Sequence, residues 1–174
     1  MPQQYEVLSV LMREMGIPIR DLRYFQGRKR LQKTVYFAQL SKFGVDLGYG
    51  YSLYIHGPYS QGLAEAGYRI RSEEQHCSQF ASSHEFRPGI VAGLRRLRHF
   101  IKAGQQRVAD ETNFLELAAT LHYLWTVSFK HIPPKDRRKP TLATCRQRKK
   151  QFDEKARSDA FRLLETRGLI VGAK

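Results

Sequence analysis

The stretch Gly27–Ser60, GRKRLQKTVYFAQLSKFGVDLGYGYSLYIHGPYS, decides the fold because it carries signals for two helices and an extended segment between them. Its first part predicts a helix over residues 28–43, since small and apolar side chains recur at helical spacing. These side chains cluster on one side of the helix and are predicted to face the core: Leu31, Thr34, Val35 and Ala38.

The opposite side of the same helix is polar, and its members are long donors and one phenol: Lys29, Gln32, Lys33, Tyr36 and Gln39. Such side chains reach phosphates and base edges in a nucleic-acid groove. A short helical turn predicted around residues 20–25 precedes the helix, so the arrangement matches the outline of a helix-turn-helix with an exposed recognition helix. The alternative is an ordinary solvated helix face, which also displays Lys and Gln.

The second part of the stretch alternates between larger apolar and smaller or polar residues over residues 49–56, which predicts a strand or extended segment. The sequence His-Gly-Pro at residues 56–58 then predicts a sharp corner. Ser60 is a preferred N-cap residue, so a further helix is predicted over residues 61–71.

These residues together resemble a known family. The segments KRLQKTVYFAQ and YIHGPYSQGL, on either side of an aromatic extended segment, are similar to the YwgA-like proteins of bacteria and archaea and, more distantly, to the Panacea (SocA-like) antitoxin domain. The shared pattern is a K-L-Q-K-L-x-Y-x-A-Q helix and a later Y-G-P, and the matching residues are Leu31, Gln32, Lys33, Tyr36, Ala38, Gln39, Gly57, Pro58, Tyr59 and Ser60. Close similarity covers about a third of the chain, and LELAATLHYL and the last helix are compatible with the YwgA-like pattern.

The resemblance implies a largely helical domain, with a winged-helix-like N-terminal element as one option, and no known enzymatic activity. For the Panacea relatives it implies neutralisation of a toxin by direct protein contact. The aromatic corner then becomes a second candidate surface, a partner-binding site of Tyr54, His56 and Tyr59 on a chain whose positive charge meets an acidic protein.

The charge balance points to polyanionic partners. The chain carries 30 Lys and Arg against 16 Asp and Glu, a net charge of +14 over 174 residues. Such a balance concerns partners rather than fold. Nucleic acid, DNA or RNA, is the commonest partner of such a chain, followed by an acidic protein and then an anionic membrane surface. The alternative is a basic surface that serves solubility alone.

A second basic run lies at residues 130–150, where nine Lys and Arg stand against one acid, Asp136. Three prolines interrupt its first half, so a loop followed by a short basic helix is predicted. Runs of this kind are solvated or phosphate-binding. Together with the helix predicted over residues 28–43, this run supplies the candidate nucleic-acid-binding residues: Arg28, Lys29, Arg30, Gln32, Lys33, Tyr36, Gln39, Arg137, Arg138, Lys139, Arg146, Arg148, Lys149 and Lys150.

The rest of the chain is predicted to be mostly helical, so the expected class is mainly α with a small β element. The further helices are residues 3–15, ended by Gly16; residues 90–103; one for which Asp110 and Thr112 are both capping options; and one capped at Asp153 and ended by Gly168. Three parts are expected within one compact unit: a helix-turn-helix-like part at 1–71, a polar, serine-rich loop or linker at 72–89, and a helical part at 90–174 that carries the basic run.

No catalytic or cofactor motif is present, so a non-enzymatic protein without a cofactor is expected. His76, Cys77 and His84 match no zinc spacing, and no metal site is predicted. Cys77 and Cys145 fit a reducing cytoplasm as free thiols, with one disulfide between them as the alternative. No apolar run is long enough to cross a membrane, and no membrane partner is expected.

Two functions follow from these features. The first is a non-enzymatic nucleic-acid-binding protein, in which the helix-turn-helix-like half gives orientation and the 130–150 run gives affinity for the phosphate backbone. The second is an antitoxin-like or defence-system module that binds an acidic protein, such as a toxin or a subunit of a defence complex.

Overall fold

The computed structural model describes residues 1–108 and 110–172. Over these residues the chain forms eight α-helices and a two-stranded sheet, which confirms the predicted class, mainly α with a small β element. In chain order the elements are α1 (Gln4–Glu14), α2 (Phe25–Ala38), β1 (Ser52–Tyr54), β2 (Gly57–Tyr59), α3 (Gln61–Ser72), α4 (Glu74–Ser83), α5 (Pro88–Gln105), α6 (Glu111–Tyr123), α7 (Arg138–Arg148) and α8 (Glu154–Thr166).

The chain divides into two compact units. Unit 1 contains Met1–Ser52 and Tyr59–His99, and unit 2 contains Leu53–Pro58 and Phe100–Lys174. Unit 2 is therefore discontinuous in sequence, because it includes the turn between β1 and β2.

Unit 1 is built around α1 and α2. α1 packs against α3 and α4, and α2 packs against α3 and a 3-10 turn at Ile19–Arg23. Leu8 and Leu11 on α1 and Val35 on α2 are fully buried, as the apolar periodicity predicts. α2 starts at Phe25, before the predicted helix over 28–43. It also ends earlier than predicted, because the chain after Ala38 continues as turns rather than as helix.

The prediction of a polar loop at 72–89 is wrong for most of this segment, because α4 occupies Glu74–Ser83. Only Cys77 and Ala81 of this helix are buried, and the other face is rich in serine, so its apolar stripe is too narrow to be recognised as helical. The hydroxyl of Ser9 on α1 donates to the backbone carbonyl of Cys77 at 3.2 Å, which joins the two helices.

β1 and β2 pair as a hairpin whose strands are joined by Ile55 and His56. Gly57 follows the turn with φ +86, a backbone conformation that glycine adopts without strain, so β2 begins directly after two residues. Ser60 then accepts a hydrogen bond from the backbone nitrogen of Leu63 at 3.3 Å, which makes it the N-cap of α3 as predicted.

Unit 2 packs α6, α7 and α8 against one another. Its helix ends follow the sequence prediction. Asp110 accepts from the backbone nitrogen of Asn113 at 2.9 Å, and Asp153 accepts from that of Ala156 at 2.7 Å, so both are N-caps. Gly168 has φ +62 and follows α8 in the arrangement typical of a helix C-terminus.

α6 continues into a π-helical turn at Leu124–Ser128, and a 3-10 turn at Pro134–Asp136 leads into α7. Pro140 lies within the first turn of α7, where a missing N–H costs no intrahelical bond. The predicted loop followed by a short basic helix is therefore confirmed. Among the described residues, no helix combines the length and the apolar character needed to cross a bilayer.

Candidate nucleic-acid interface

The polar face of α2 is not exposed, and the prediction of an exposed recognition face is wrong. Its members Lys29, Gln32, Lys33 and Tyr36 are buried, and Gln39 is half-buried. All eight residues from Leu31 to Ala38 are buried, and Lys33 is only 2 % exposed. A helix that reads base edges has to leave one face open, and α2 leaves none over this span.

Gln32 of α2 and Gln39, the C-cap residue that follows α2, hold the backbone of later segments instead. The Gln32 side chain donates to the Ser60 carbonyl at 2.8 Å and accepts from the Ser60 nitrogen at 2.9 Å. Gln39 makes the same pair of bonds with Tyr49, both at 2.9 Å. A primary amide carries one acceptor and two donors, so it can pair with a peptide group as a neighbouring strand does. Gln32 and Gln39 are seven residues apart, which places them on one face of the helix.

Two arginines of α2, Arg28 and Arg30, also bond within the protein. The guanidinium of Arg28 donates to the carbonyls of Leu22 at 3.1 Å and Arg23 at 2.9 Å. That of Arg30 donates to the carbonyl of Gly16 at 3.1 Å. Both arginines therefore satisfy carbonyl groups of the chain that precedes α2, where helix and turn ends leave acceptors open.

The seven predicted binding residues of the basic run at 130–150 separate into two groups, of which the first is bound internally. Arg137 donates to the carbonyls of Ile132 at 2.5 Å and Lys130 at 2.7 Å, and so closes the loop that precedes it. Arg138 forms an ion pair with Glu165 at 3.3 Å, and its guanidinium lies 4.8 Å from the ring centroid of Phe161. These contacts make both arginines part of the packing of unit 2.

Lys149 belongs to the same internal group and is the most buried cation of the run. Its ammonium lies 2.5 Å from Oε1 of Glu116 on α6 and 2.5 Å from the carbonyl oxygen of Ile55 in the hairpin turn. Both charged side chains are about 1–2 % exposed. Gln151 donates to the same carboxylate at 3.3 Å. Lys149 therefore fixes the turn to the end of α7.

The second group is exposed and consists of Lys139, Arg146, Arg148 and Lys150, which we term the α7 basic set. None of these four side chains takes part in a hydrogen bond or ion pair within residues 1–108 and 110–172. Lys139 and Arg146 are seven residues apart on one side of α7, and the other two mark its C-terminal end. The sequence from 137 to 152 contains no Asp or Glu, and the nearest acids along the chain are Asp136 and Asp153 at either end of this segment.

The candidate partner-binding residues lie on the hairpin and are exposed. Tyr54 is 59 % exposed and Ile55 is 80 % exposed, while Tyr59 is also accessible. The ring of His56 is half-exposed, and its Nδ1 lies 3.6 Å from Oε1 of Glu116. The structure thus places one predicted residue, His56, beside the buried Lys149–Glu116 pair.

The cluster considered for metal binding has other contacts. His76 pairs with Glu6 at 2.7 Å, and the ring of His84 stacks on Phe80 at 3.8 Å. Cys77 is fully buried, and burial raises the pKa of its thiol to about 11. Within the described part of the chain, no three His, Cys, Asp or Glu side chains come together as a metal site requires.

Sequence reasoning missed Glu116 and Ile55. Every residue from Phe114 to His122 is buried, and Glu116 is the one acid among them. An ionised carboxylate in such a position requires a partner, because burying it alone is costly. This single acid within FLELAATLH is the signal from which a buried ion pair could have been predicted. No pattern in the sequence identifies the Ile55 carbonyl.

No protein-family model, no curated protein and no solved structure gives a significant match to this chain. Its function has therefore to be inferred from its own geometry and charge.

Proposed function

We propose that this chain is a non-enzymatic cytoplasmic protein that binds nucleic acid through the phosphate backbone. The α7 basic set carries the proposal, because it presents four exposed cations on one short segment, residues 139–150, that contains no Asp or Glu. Phosphate contacts of this kind give affinity and orientation but no sequence readout. The two free cysteines fit the reducing compartment that the proposal assumes.

The buried face of α2 changes the expected mode of binding. With Gln32 and Gln39 bonded to backbone, base reading by this helix is not part of the proposal. Binding then comes mostly from the release of counterions, which makes it steeply dependent on salt. If all four cations each neutralise a phosphate of duplex DNA, log K falls by roughly 3 to 4 per decade of salt from this set alone.

The test compares two variants that lose the same charge. The first replaces the α7 basic set with alanine: Lys139→Ala, Arg146→Ala, Arg148→Ala and Lys150→Ala. The control removes four exposed arginines of unit 1: Arg20→Ala, Arg23→Ala, Arg71→Ala and Arg87→Ala. Affinity for a random-sequence oligonucleotide is measured by fluorescence anisotropy across a salt series. We expect the first variant to bind more weakly with a flatter salt slope than the control.

Equal losses in the two variants would show that net charge alone attracts the nucleic acid, and would contradict the proposed site. The absence of binding by the unaltered protein at low salt would contradict the function itself.

A second candidate function is supported by the hairpin. Tyr54 and Ile55 are large, solvent-exposed side chains. Aromatic residues such as Tyr54 are enriched in protein interfaces. The resemblance to the Panacea antitoxin domain supports the same direction. In this case the protein is an antitoxin-like or defence-system module, and the hairpin contacts an acidic protein while the basic surface steers the encounter.

Affinity purification from the native host, with and without nuclease, separates the two candidates. A protein-binding module retains one stoichiometric acidic partner after nuclease treatment, and Tyr54→Ala reduces its recovery. A nucleic-acid-binding protein loses its co-purifying material on nuclease treatment.

A further inference from the structure

We propose that the hairpin turn and the C-terminal end of α7 form one binding site for single-stranded nucleic acid. Unpaired bases stack on the rings of Tyr54 and His56, and the adjoining phosphates contact Arg148 and Lys150. This inference rests on the proposed nucleic-acid-binding function and narrows it to a substrate class.

The first support is the contact that brings the two elements together. The ammonium of Lys149 lies 2.5 Å from the carbonyl oxygen of Ile55, at the centre of the turn. Arg148 and Lys150 flank this lysine in sequence, and consecutive Cα atoms are about 3.8 Å apart. The two exposed cations therefore originate within one residue of the side chain that binds the turn.

The second support is the composition of the turn. Tyr54 is 59 % exposed, and the side chain of His56 is 50 % exposed, so both present aromatic surface to solvent in the turn that Lys149 binds. In a duplex the bases stack on one another and a protruding aromatic ring finds no free base face. Unpaired bases offer such a face, and aromatic rings combined with a basic surface are the common means of binding single strands.

The third support is charge complementarity to a polyanion. Neither 53–58 nor 137–152 contains an Asp or a Glu. The acid that contacts this site within unit 2 is Glu116, which is buried and bonded to the Lys149 ammonium. The exposed part of the site is therefore basic and aromatic.

The fourth support is rigidity. The Lys149 ammonium binds both the Ile55 carbonyl of the turn and the buried Glu116 carboxylate, and Gln151 donates to the same carboxylate at 3.3 Å. A fixed platform loses little conformational entropy on binding, which favours stacking of a flexible strand.

The experiment measures anisotropy with labelled oligonucleotides of about 12 nucleotides, a length within the range bound by single-strand modules. One mixed sequence is used as single-stranded DNA, as single-stranded RNA and as duplex DNA. The protein variants are Tyr54→Ala, Tyr54→Phe and a matched control, Tyr68→Ala. Tyr68 lies on α3 and is 57 % exposed, so its loss removes an equally accessible phenol elsewhere.

We expect Tyr54→Ala to weaken binding of at least one single strand by about fivefold or more, the loss typical of one stacked base. Duplex affinity should change by less than about twofold, since phosphate contacts remain. Tyr54→Phe should retain single-strand affinity because it keeps the ring. The DNA and RNA arms show which backbone the site accepts. Near-UV circular dichroism and Trp125 fluorescence confirm that each variant is folded.

Two results would overturn the inference. If Tyr54→Ala and Tyr68→Ala bind single strands equally well, or if Tyr54→Ala weakens duplex and single strand alike, the stacking site does not exist. Either result leaves the proposed function intact as long as substitution of the α7 basic set still weakens binding. If the unaltered protein binds none of the three oligonucleotides at low salt, the proposed function fails together with the inference.

Discussion

Gln32 and Ser60 exchange two hydrogen bonds across 28 positions of the chain, so one side chain of α2 fixes the residue that starts α3. Ser60 in turn caps α3 through its bond from Leu63. The glutamine, the serine and the helix N-terminus form one continuous set of bonds. Gln32 is one of the residues on which the family resemblance depends, and in this chain its side chain positions the backbone of Ser60.

Replacing Gln32 with alanine should destabilise the protein strongly. Gln32→Ala leaves the nitrogen and carbonyl of Ser60 buried without their present partner, and each such group costs about 1–3 kcal/mol. We expect the free energy of unfolding in urea, followed by far-UV circular dichroism, to fall by about 2–4 kcal/mol. The control is Gln79→Ala, an exposed glutamine of α4. Equal stability of the two variants would contradict the structural role of Gln32.

Removing the ammonium of Lys149 should destabilise unit 2. Lys149→Met leaves the Glu116 carboxylate without this partner, and breaking a buried pair costs about 3–5 kcal/mol. The single tryptophan, Trp125, is buried in unit 2, so its fluorescence in urea reports on this unit. Lys150→Met, one residue away and exposed, is the matched control and should change stability by less than about 0.5 kcal/mol. Coincident unfolding curves for the two variants would rule out this role.

His122 should make the protein less stable in acid. Burial lowers the pKa of His122 from 6.5 to about 4, and a hydrogen bond with the backbone of Leu169 opposes part of this effect. The unfolded chain therefore binds a proton below 6.5 that the folded chain does not bind until about 4. Stability is lost as the pH falls through this window, by roughly 2 kcal/mol between pH 7 and pH 5.

The measurement compares urea unfolding at the two pH values for the unaltered protein, His122→Gln and His99→Gln. His122→Gln should lack this part of the pH dependence. His99 is exposed, so its substitution should leave the dependence in place. A pH dependence that survives His122→Gln in full would contradict the assignment.

The two thiols should be inert in the folded protein. Burial is the main cause that raises the pKa of Cys77 to about 11 and that of Cys145 to about 12, and the thiolate is the reactive form. We expect iodoacetamide to modify neither residue without denaturant, as followed by peptide mass spectrometry. Ser41→Cys introduces an exposed thiol as the positive control. Modification of Cys77 or Cys145 as fast as of the introduced cysteine would show that the residue is accessible.

Local chemistry predicted much of the fold. The N-caps Ser60 and Asp153 and the C-terminal glycine Gly168 were each identified from residue type and position, and Asp110 as one of two options, because their effect depends on a few neighbouring atoms. α4 was missed because its buried face consists of Cys77 and Ala81 within a serine-rich segment. Its stability comes from packing against α1, which no local pattern reveals.

The candidate site was predicted less well, because polarity does not determine exposure. Gln32 and Lys33 appear polar on a helical wheel, yet both are buried. The partners that make this tolerable for Gln32 are backbone atoms 28 residues away, and those of Lys149 are 33 and 94 residues away. Such pairings arise from tertiary structure, so only the general location of the basic surface followed from the sequence.

The discontinuity of unit 2 has a consequence for synthesis on the ribosome. Leu53–Pro58 emerges long before Lys149, and the bond between the Ile55 carbonyl and the Lys149 ammonium joins positions 94 residues apart. Closure of so long a loop is a slow step relative to helix formation, so this unit completes late in translation. A single cut in the polypeptide cannot release unit 2 whole, and an expression fragment that starts at Phe100 would lack the peptide group that Lys149 binds.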